Sequence, residues 1–404
     1  MNILVLNAGS SSHKLCLYSL AETLPEAAPA PAWEAQIDWY PEKAVIETKT
    51  AAGTPAHLAQ ALTSKREILS EVLTALWQGD TPMLSSPAAV DIVGHRVVHG
   101  GQTYQASTLI IPEVKAEIHR LRQLAPNHNP ANLEGIKLME ALLGDVPQVA
   151  VFDTAFHSQL PDAAAVYPGP YDWIAQGIRR YGFHGISHRY CSQRAAQILG
   201  RDHLRLVICH LGNGGSLCAV RHGKSIDTTM GFTPLDGLMM GTRSGSVDPG
   251  ILIYLMRQGY DADRLDQLLN KESGLKGISG ISHDLRQIRQ AIKEDSPRAR
   301  LARDIYIHRI RACLGSMVMS LGGVDAIVFT AGIGEHDPQI RAATCEGMEF
   351  LGLKLDRAMN NHGPVDQDIA TNDSAVRVLV IHTQEDWAIA QDCWRYLTFG
   401  PDSC

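Results

Sequence analysis

At 404 residues the chain is long enough for two or three domains of roughly 150 residues each, which excludes a small single-core binding module. Its 45% hydrophobic and 20% charged content is that of an ordinary globular protein, not a fibrous or disordered one. Thirty-six basic residues against 43 acidic ones leave a net charge of −7, which repels nucleic acid and anionic membrane surfaces, and the longest apolar runs fall far short of the roughly 20 residues needed to cross a bilayer.

The first residues carry no basic segment and turn polar after six positions, which argues against a secretory signal and makes the cytoplasm the expected compartment. Eight cysteines without any C-x-x-C spacing, several of them inside apolar runs, read as reduced core thiols. The pairs His95/His99 and His184/His188 have a spacing that suits a metal, but neither belongs to an H-E-x-x-H pattern, and no zinc site is expected.

In chain order, an apolar run over residues 3–6, a Gly/Ser turn and a second apolar run from Leu15 predict a buried hairpin. Residues 22–57, rich in Ala, Pro and Thr, predict peripheral strands and loops. Helical spacing of apolar residues covers 58–77, 112–124 and 130–143, the last with Asn129 as N-cap and Pro130 at the first helical position. Strands are expected at 91–98 and 148–153, and a helix at 187–199 closed by Gly200. Residues 206–220 repeat the opening grammar of apolar strand, Asn/Gly/Ser turn and apolar strand, so two similar domains are expected. A long helix over 297–321, a buried strand over 324–330 and a glycine turn over 331–336 follow, and a last helix over 384–396 is expected to pack back on the first domain. Helices alternating with strands give an α/β fold with its sites at strand ends.

Short Gly/Ser/Asn turns let backbone N–H groups approach a phosphate closely. Asn7, Gly9, Ser10 and Ser12 form one such turn, and Asn213, Gly214, Gly215 and Ser216 another; each alone reads equally as a plain hairpin turn. With a third glycine turn at Gly332, Ile333 and Gly334, they point together to a nucleotide held between two domains, and without a G-x-x-x-x-G-K-[ST] run this is not a P-loop protein. Arg96 and Arg243 lie in glycine-flanked runs, where a guanidinium fork suits carboxylate or phosphate oxygens, although a structural arginine fits each alone. Asp153 and Glu385 are carboxylates at element boundaries, the hard donors that suit Mg²⁺, and each alone also fits a cap or loop acid.

Seven segments then converge: Leu4-Val-Leu-Asn-Ala-Gly-Ser-Ser-Ser12, Gly94-His-Arg-Val-Val-His-Gly-Gly101, Arg180-Tyr-Gly-Phe-His-Gly185, His210-Leu-Gly-Asn-Gly214, the glycine-rich run from Gly231 to Gly245, Phe329-Thr-Ala-Gly-Ile-Gly-Glu335 and Glu385. In this order they resemble the acetate kinase family, which includes propionate and butyrate kinases. The resemblance implies two duplicated ribonuclease H-like domains of the acetate and sugar kinase, hsp70 and actin superfamily. It implies ATP in the interdomain cleft and a homodimer. The expected division is an N-terminal domain of residues 1–153 with 387–404 and a nucleotide-binding domain of residues 154–386.

Carried over residue by residue, the resemblance gives Asp153, Arg96, Arg243 and His184 catalytic roles. Asn7 and Glu385 would hold Mg²⁺, with Mn²⁺ as the alternative. Arg96, Val98, Asn127, Phe183 and Pro234 would bind the acid. The nucleotide ATP or ADP would meet Ser10, Ser12, Lys14, His210, Leu211, Gly212, Asn213, Gly214, Asp284, Leu285, Arg286, Gly332, Ile333, Gly334 and His336. His128 resembles a further histidine near the phosphate path. The implied activity is reversible phosphoryl transfer from ATP to acetate by direct in-line displacement, with small molecules as the only partners besides a second copy of the chain. A propionate-preferring or broader acyl kinase is the alternative, and a non-catalytic nucleotide-binding regulator is the alternative of a different class. Asn127 stands where the family usually has leucine, Leu285 where it has an aromatic, His336 where it has asparagine and Ser246 where it has aspartate; acyl chain length and nucleotide preference are therefore open.

Overall fold

The computed structural model describes residues 1–9, 12–40, 42–51, 53, 56–61, 64–78, 82–126, 128–363 and 365–400, and two side chains in the fifth strand are outside this description. Ser10, Asn127 and Cys404 therefore lie outside the described residues. Contacts divide the chain into one unit of Met1–Ala155 with Gln384–Cys404 and another of Phe156–Thr383.

In the first unit, strands β1 (Asn2–Ala8), β2 (Ser12–Ser19), β3 (Trp33–Trp39), β4 (Lys43–Thr50), β5 (Ala56–Ala61), β6 (Ile92–Val97), β7 (Thr108–Leu109) and β8 (Gln148–Phe152) form one sheet in the order β5-β4-β3-β2-β1-β6-β8-β7. The hairpin β1/β2 is antiparallel, while β6 lies parallel to β1 and β8 parallel to β6. Ile3 to Leu6 are all fully buried, as expected of a central strand covered on both faces.

In the second unit, β9 (Arg205–Leu211), β10 (Gly215–Arg221), β11 (Lys224–Thr228), β12 (Ala326–Thr330), β13 (Gln367–Asp368) and β14 (Arg377–Val380) give the order β11-β10-β9-β12-β14-β13. Again a hairpin of β9 and β10 leads, β12 is parallel to β9 and β14 is parallel to β12. The five-strand pattern β3-β2-β1-β6-β8 thus recurs as β11-β10-β9-β12-β14, which is the duplication that the repeated hairpins predict.

The helix Glu385–Phe399 packs on β1 and β6 of the first unit, burying Trp387, Ile389 and Cys393. Burying Ile389 alone is worth roughly 1.5–3 kcal/mol. Gly94 on β6 makes the approach possible, since a Cβ there would lie 2.5 Å from Ile389 Cγ2 and 2.7 Å from Cys393 Sγ.

Three local expectations are corrected. The helix expected over 58–77 is a strand, β5, paired antiparallel with β4, followed by a helix over Lys65–Thr74. Ser64 sets the start of that helix, its hydroxyl accepting from the Glu67 N–H, and this cap outweighs the helical apolar spacing upstream. Asn129 is not the N-cap of Asn129–Leu143; His128 holds that position. The Asn129 amide instead accepts from the His99 N–H and donates to the His99 and Ile118 carbonyls, fixing the loop after β6. Residues 331–336 form a short helix, Ala331–His336, rather than a turn.

Candidate active site

Parallel strands bring the chain ends of β1, β6 and β8 to one edge of the first sheet, and the expected residues sit there. Arg96, next to last on β6, donates through Nε to Asp153 Oδ1 at 3.2 Å and through Nη2 to Asp153 Oδ2 at 2.5 Å. Its Nη1 reaches Asn7 Oδ1 at 3.4 Å, so Asn7 on β1, Arg96 on β6 and Asp153 just after β8 form one constellation. Asp153 is fully buried and Arg96 mostly so. Burial works against the arginine's charge, but Asp153 and then Glu385 more than offset it, and the Arg96 pKa is raised.

Glu385 opens the last helix of this unit. Removal from water is the main cause that pushes its carboxyl up, partly opposed by Arg96 and reinforced by Asp386. Asp386 beside it binds Lys14 Nζ at 2.7 Å, and its other oxygen, Oδ1, is buried with no partner among the described residues. Lys14 is thereby anchored on β2, its proton held against the cost of burial by the Asp386 charge. Val98 is buried just past β6, its N–H donating to Asn132 Oδ1. Ser12 begins β2, and its carbonyl accepts from the Gly9 N–H, closing the first turn.

A second constellation forms at the equivalent edge of the other unit, around the turn between β9 and β10. The Gly212 N–H donates to the Gly214 carbonyl, and the Asn213 carbonyl accepts from the Gly241 N–H, which ties this turn to the loop carrying Arg243. That loop is held in turn by the helix Gly274–Ser279, where the Leu275 and Lys276 N–H groups donate to the Met240 and Gly241 carbonyls. Arg243 Nη1 donates to the Pro234 carbonyl at 2.9 Å, and among the described residues no carboxylate pairs with this guanidinium. Burial alone pushes its pKa below the ordinary value, yet arginine stays charged, so an unmatched positive charge faces this turn. A Cβ placed on Gly214 would lie 3.5 Å from Arg243 Nη2 and 3.7 Å from His184 Cε1, which locates all three around one small space.

His184 precedes the helix Gly185–Leu199 with the left-handed φ of 56°, a conformation uncommon outside glycine that turns its ring toward β10. Its Nδ1 lies 2.9 Å from Ser216 Oγ, and the ring stacks on His210 with centroids 4.1 Å apart. His188 Nε2 meets the same Ser216 oxygen at 2.8 Å. Behind them His157 bonds Ser225 Oγ and the Phe183 carbonyl, fixing the buried Phe183. Burial pushes His157 down to about 4 and His188 well below its ordinary value, so both rings are neutral at pH 7.

The remaining candidates are more dispersed. Asp284 caps the helix Leu285–Lys293, its carboxylate accepting from the Arg286 N–H and pairing with the exposed Arg286 guanidinium. Leu285 points into the apolar core beside Ile288 and borders a cavity of about 550 Å³ with Arg289, Asp337 and Ile340. Leu211 is buried at the end of β9. Gly332 is exposed with open space at its Cβ position, Ile333 packs on the core, Gly334 is buried and His336 is exposed. Ser246 donates to Asp236 at 2.5 Å and accepts from the Gly237 N–H, a place where aspartate would set two carboxylates together. Ser216, His188 and Asp386 are the contributors whose parts sequence reasoning did not assign; Asp386 directly follows Glu385, and Ser216 ends a turn already singled out.

Two α/β units repeating a hairpin followed by parallel strands, with polar residues gathered at the strand ends, place the protein among the duplicated ribonuclease H-like folds. The chain matches the acetokinase family over residues 2–391. It is 66% identical over 397 residues to an acetate kinase of Acaryochloris marina, covering 98% of this chain and 99% of that protein. Its structure resembles the crystal structure of Porphyromonas gingivalis acetate kinase with a TM-score of 0.87 at 40% identity, over 97% of this chain and 98% of that one. It also resembles a propionate kinase from Francisella tularensis subsp. tularensis, with a TM-score of 0.87 at 36% identity over 97% and 98% of the two chains. The chain belongs to the acetokinase family.

Proposed function

We propose that this protein is an acetate kinase, transferring the γ-phosphoryl group of ATP reversibly to acetate to give acetyl phosphate and ADP. The observation that carries the reading is Arg243, a guanidinium without a carboxylate partner among the described residues, set beside Gly214 and the His184 ring. An anion is the natural complement of that charge. Acetate is already ionised at neutral pH, so its attack on phosphorus needs no general base, and alignment with charge stabilisation supplies the catalysis. In this reading Arg96, oriented by Asp153, holds the acetate carboxylate, and Arg243 and His184 donate to the oxygens of the phosphoryl group in transfer. Val98, Phe183 and Pro234 are assigned to the acyl methyl, as is Asn127, a polar residue where an apolar one would suit a methyl.

Ser10, Ser12, Lys14, His210, Asn213 and Gly214 are assigned to the phosphates, and Asp284, Leu285, Arg286, Gly332, Ile333, Gly334 and His336 to the adenosine. Asn7 and Glu385 would hold Mg²⁺ or Mn²⁺. The donor set fits a hard cation, since the carboxyl of Glu385 is destabilised as an anion by loss of water and Asp386 Oδ1 lacks a partner among the described residues. When bound, the ion supplies neutralisation of phosphate charge. The two units are read as the N-terminal and the nucleotide-binding domain, and the protein as a cytoplasmic homodimer; among the described residues no helix is long and apolar enough to cross a membrane.

The test is ADP release from Mg-ATP with acetate, propionate, butyrate or no acid, trapping acyl phosphate with hydroxylamine. A hydroxamate strongest with acetate is the expected result. Preference for propionate would make this a propionate kinase, the reading that Asn127 and the likeness to the Francisella enzyme favour second. No acyl phosphate from any acid would leave a nucleotide-binding regulator.

A further inference from the structure

We infer that His188 and Ser216 form a hydrogen-bond relay that fixes His184 as the tautomer protonated on Nε2, so that the ring meets substrate as a neutral donor. This rests on the role given to His184 above, and it names Ser216 and His188 as positioning residues for that donor.

His188 is fully buried, and desolvation keeps it neutral, so it carries one N–H. Its Nδ1 has no partner among the described residues, while its Nε2 lies 2.8 Å from Ser216 Oγ. An orphaned buried N–H costs more than an orphaned lone pair, so the proton sits on Nε2 and is donated to Ser216. The Ser216 hydroxyl, also fully buried, then has its own proton to place. The acceptor in reach is His184 Nδ1 at 2.9 Å. A nitrogen that accepts cannot carry the proton in a neutral imidazole, and the His184 proton is left on Nε2.

A second chain runs beside the first. The Thr383 hydroxyl donates to Ser187 Oγ at 2.9 Å, and Ser187 Oγ lies 2.8 Å from His210 Nδ1, so His210 is set in the same tautomer by the same logic. The two rings are stacked within 18° of parallel. Ser216 thus does more than end the turn between β9 and β10: its hydroxyl, set between the two histidines, dictates which nitrogen of His184 can donate.

The test is NMR of the full-length protein labelled with ¹⁵N-histidine, reading the His184 ring nitrogens without substrate, with kcat and KM measured in parallel. Wild-type protein is expected to show His184 protonated on Nε2. Ser216→Ala should shift it toward a tautomer mixture and lower kcat about tenfold or more, with both KM values within threefold. His188→Leu should do the same, and His188→Gln, which retains an N–H for Ser216, should restore most of the kcat. A wild-type His184 protonated on Nδ1 overturns the inference without any variant having to fold, as does an unchanged tautomer in Ser216→Ala. The tautomer is read independently of turnover, so failure to form acyl phosphate with the expected tautomer present would count against the proposed function and leave the relay standing.

Discussion

Asp153 grips the Arg96 guanidinium through both carboxylate oxygens, at 3.2 and 2.5 Å, although the two residues are 57 positions apart in the chain. The parallel register of β6 and β8, with Val97 opposite Phe152, is what brings them together. Such a two-point contact fixes the plane of the guanidinium, and with it the direction of the donors left for a substrate carboxylate.

Two different losses should follow from breaking this pair. Arg96→Ala removes the proposed acetate clamp and is expected to lower turnover on the order of 10²-fold or more, as removal of one transition-state donor does elsewhere. Asp153→Ala removes the two-point partner of a largely buried guanidinium, leaving Asn7 and the Glu385 charge, and should also lower stability by up to about 3 kcal/mol. Urea unfolding alongside steady-state kinetics separates the effects; an Arg96→Ala enzyme within threefold of wild type would remove Arg96 from the mechanism.

Gly214 offers a sharper probe, because its Cβ position is not sterically forbidden. A methyl there would make ordinary contacts of 3.5 Å to Arg243 and 3.7 Å to His184. Gly214→Ala should therefore fold with a melting temperature close to that of wild type while obstructing the approach of a phosphate to the turn. The expected result is kcat/KM for ATP reduced about tenfold or more. Unchanged kinetics with ATP would mean that no phosphate comes close to this turn.

Much of this arrangement was legible in the sequence, for reasons that can be named. Apolar runs interrupted by Gly/Ser/Asn turns are local signals, and both hairpins stand where they predict. The arginines are recognisable as candidates from their glycine-flanked runs, and Asp153 and Glu385 from their places at element boundaries. Their partners were not, since the Arg96–Asp153 and Ser216–His184 contacts depend on sheet register and on the left-handed backbone at His184, neither of which a linear pattern encodes. β5 escapes a linear reading because its apolar residues also satisfy a helical period, and pairing with β4 decides between the two. Asn129 departs from its expected capping role for a related reason: its amide serves a loop 30 residues upstream rather than its own helix.

Acid should destabilise the protein through its buried histidines. Burial is the main cause that lowers His95 and His157 from 6.5 to about 4. The unfolded chain therefore binds more protons than the folded one between these values, and stability rises with pH across that window. Each ring contributes roughly 3 kcal/mol that is fully present above pH 6.5 and lost progressively as pH falls toward 4. Urea midpoints measured from pH 7.5 to 4.5 should fall steeply below 6.5, and His157→Gln should flatten the slope. A slope that His157→Gln leaves unaltered would show that this ring does not titrate with unfolding.

The helix Pro249–Arg257 has no buried residue, yet it carries Ile251, Ile253, Tyr254 and Met256, each between 48% and 61% exposed. Leaving four large apolar side chains of one helix in water is costly, and a second copy of the chain is the partner proposed for this surface. At a chain mass of 44.0 kDa, sedimentation should give a particle of twice that mass. Replacing both Ile253 and Tyr254 by glutamate puts two charges on the face, where in a two-fold interface each substitution counts twice, and should yield monomers. Two outcomes would rule this helix out as the dimer contact: a wild-type protein that sediments as a monomer at micromolar concentration, or a double variant that remains dimeric.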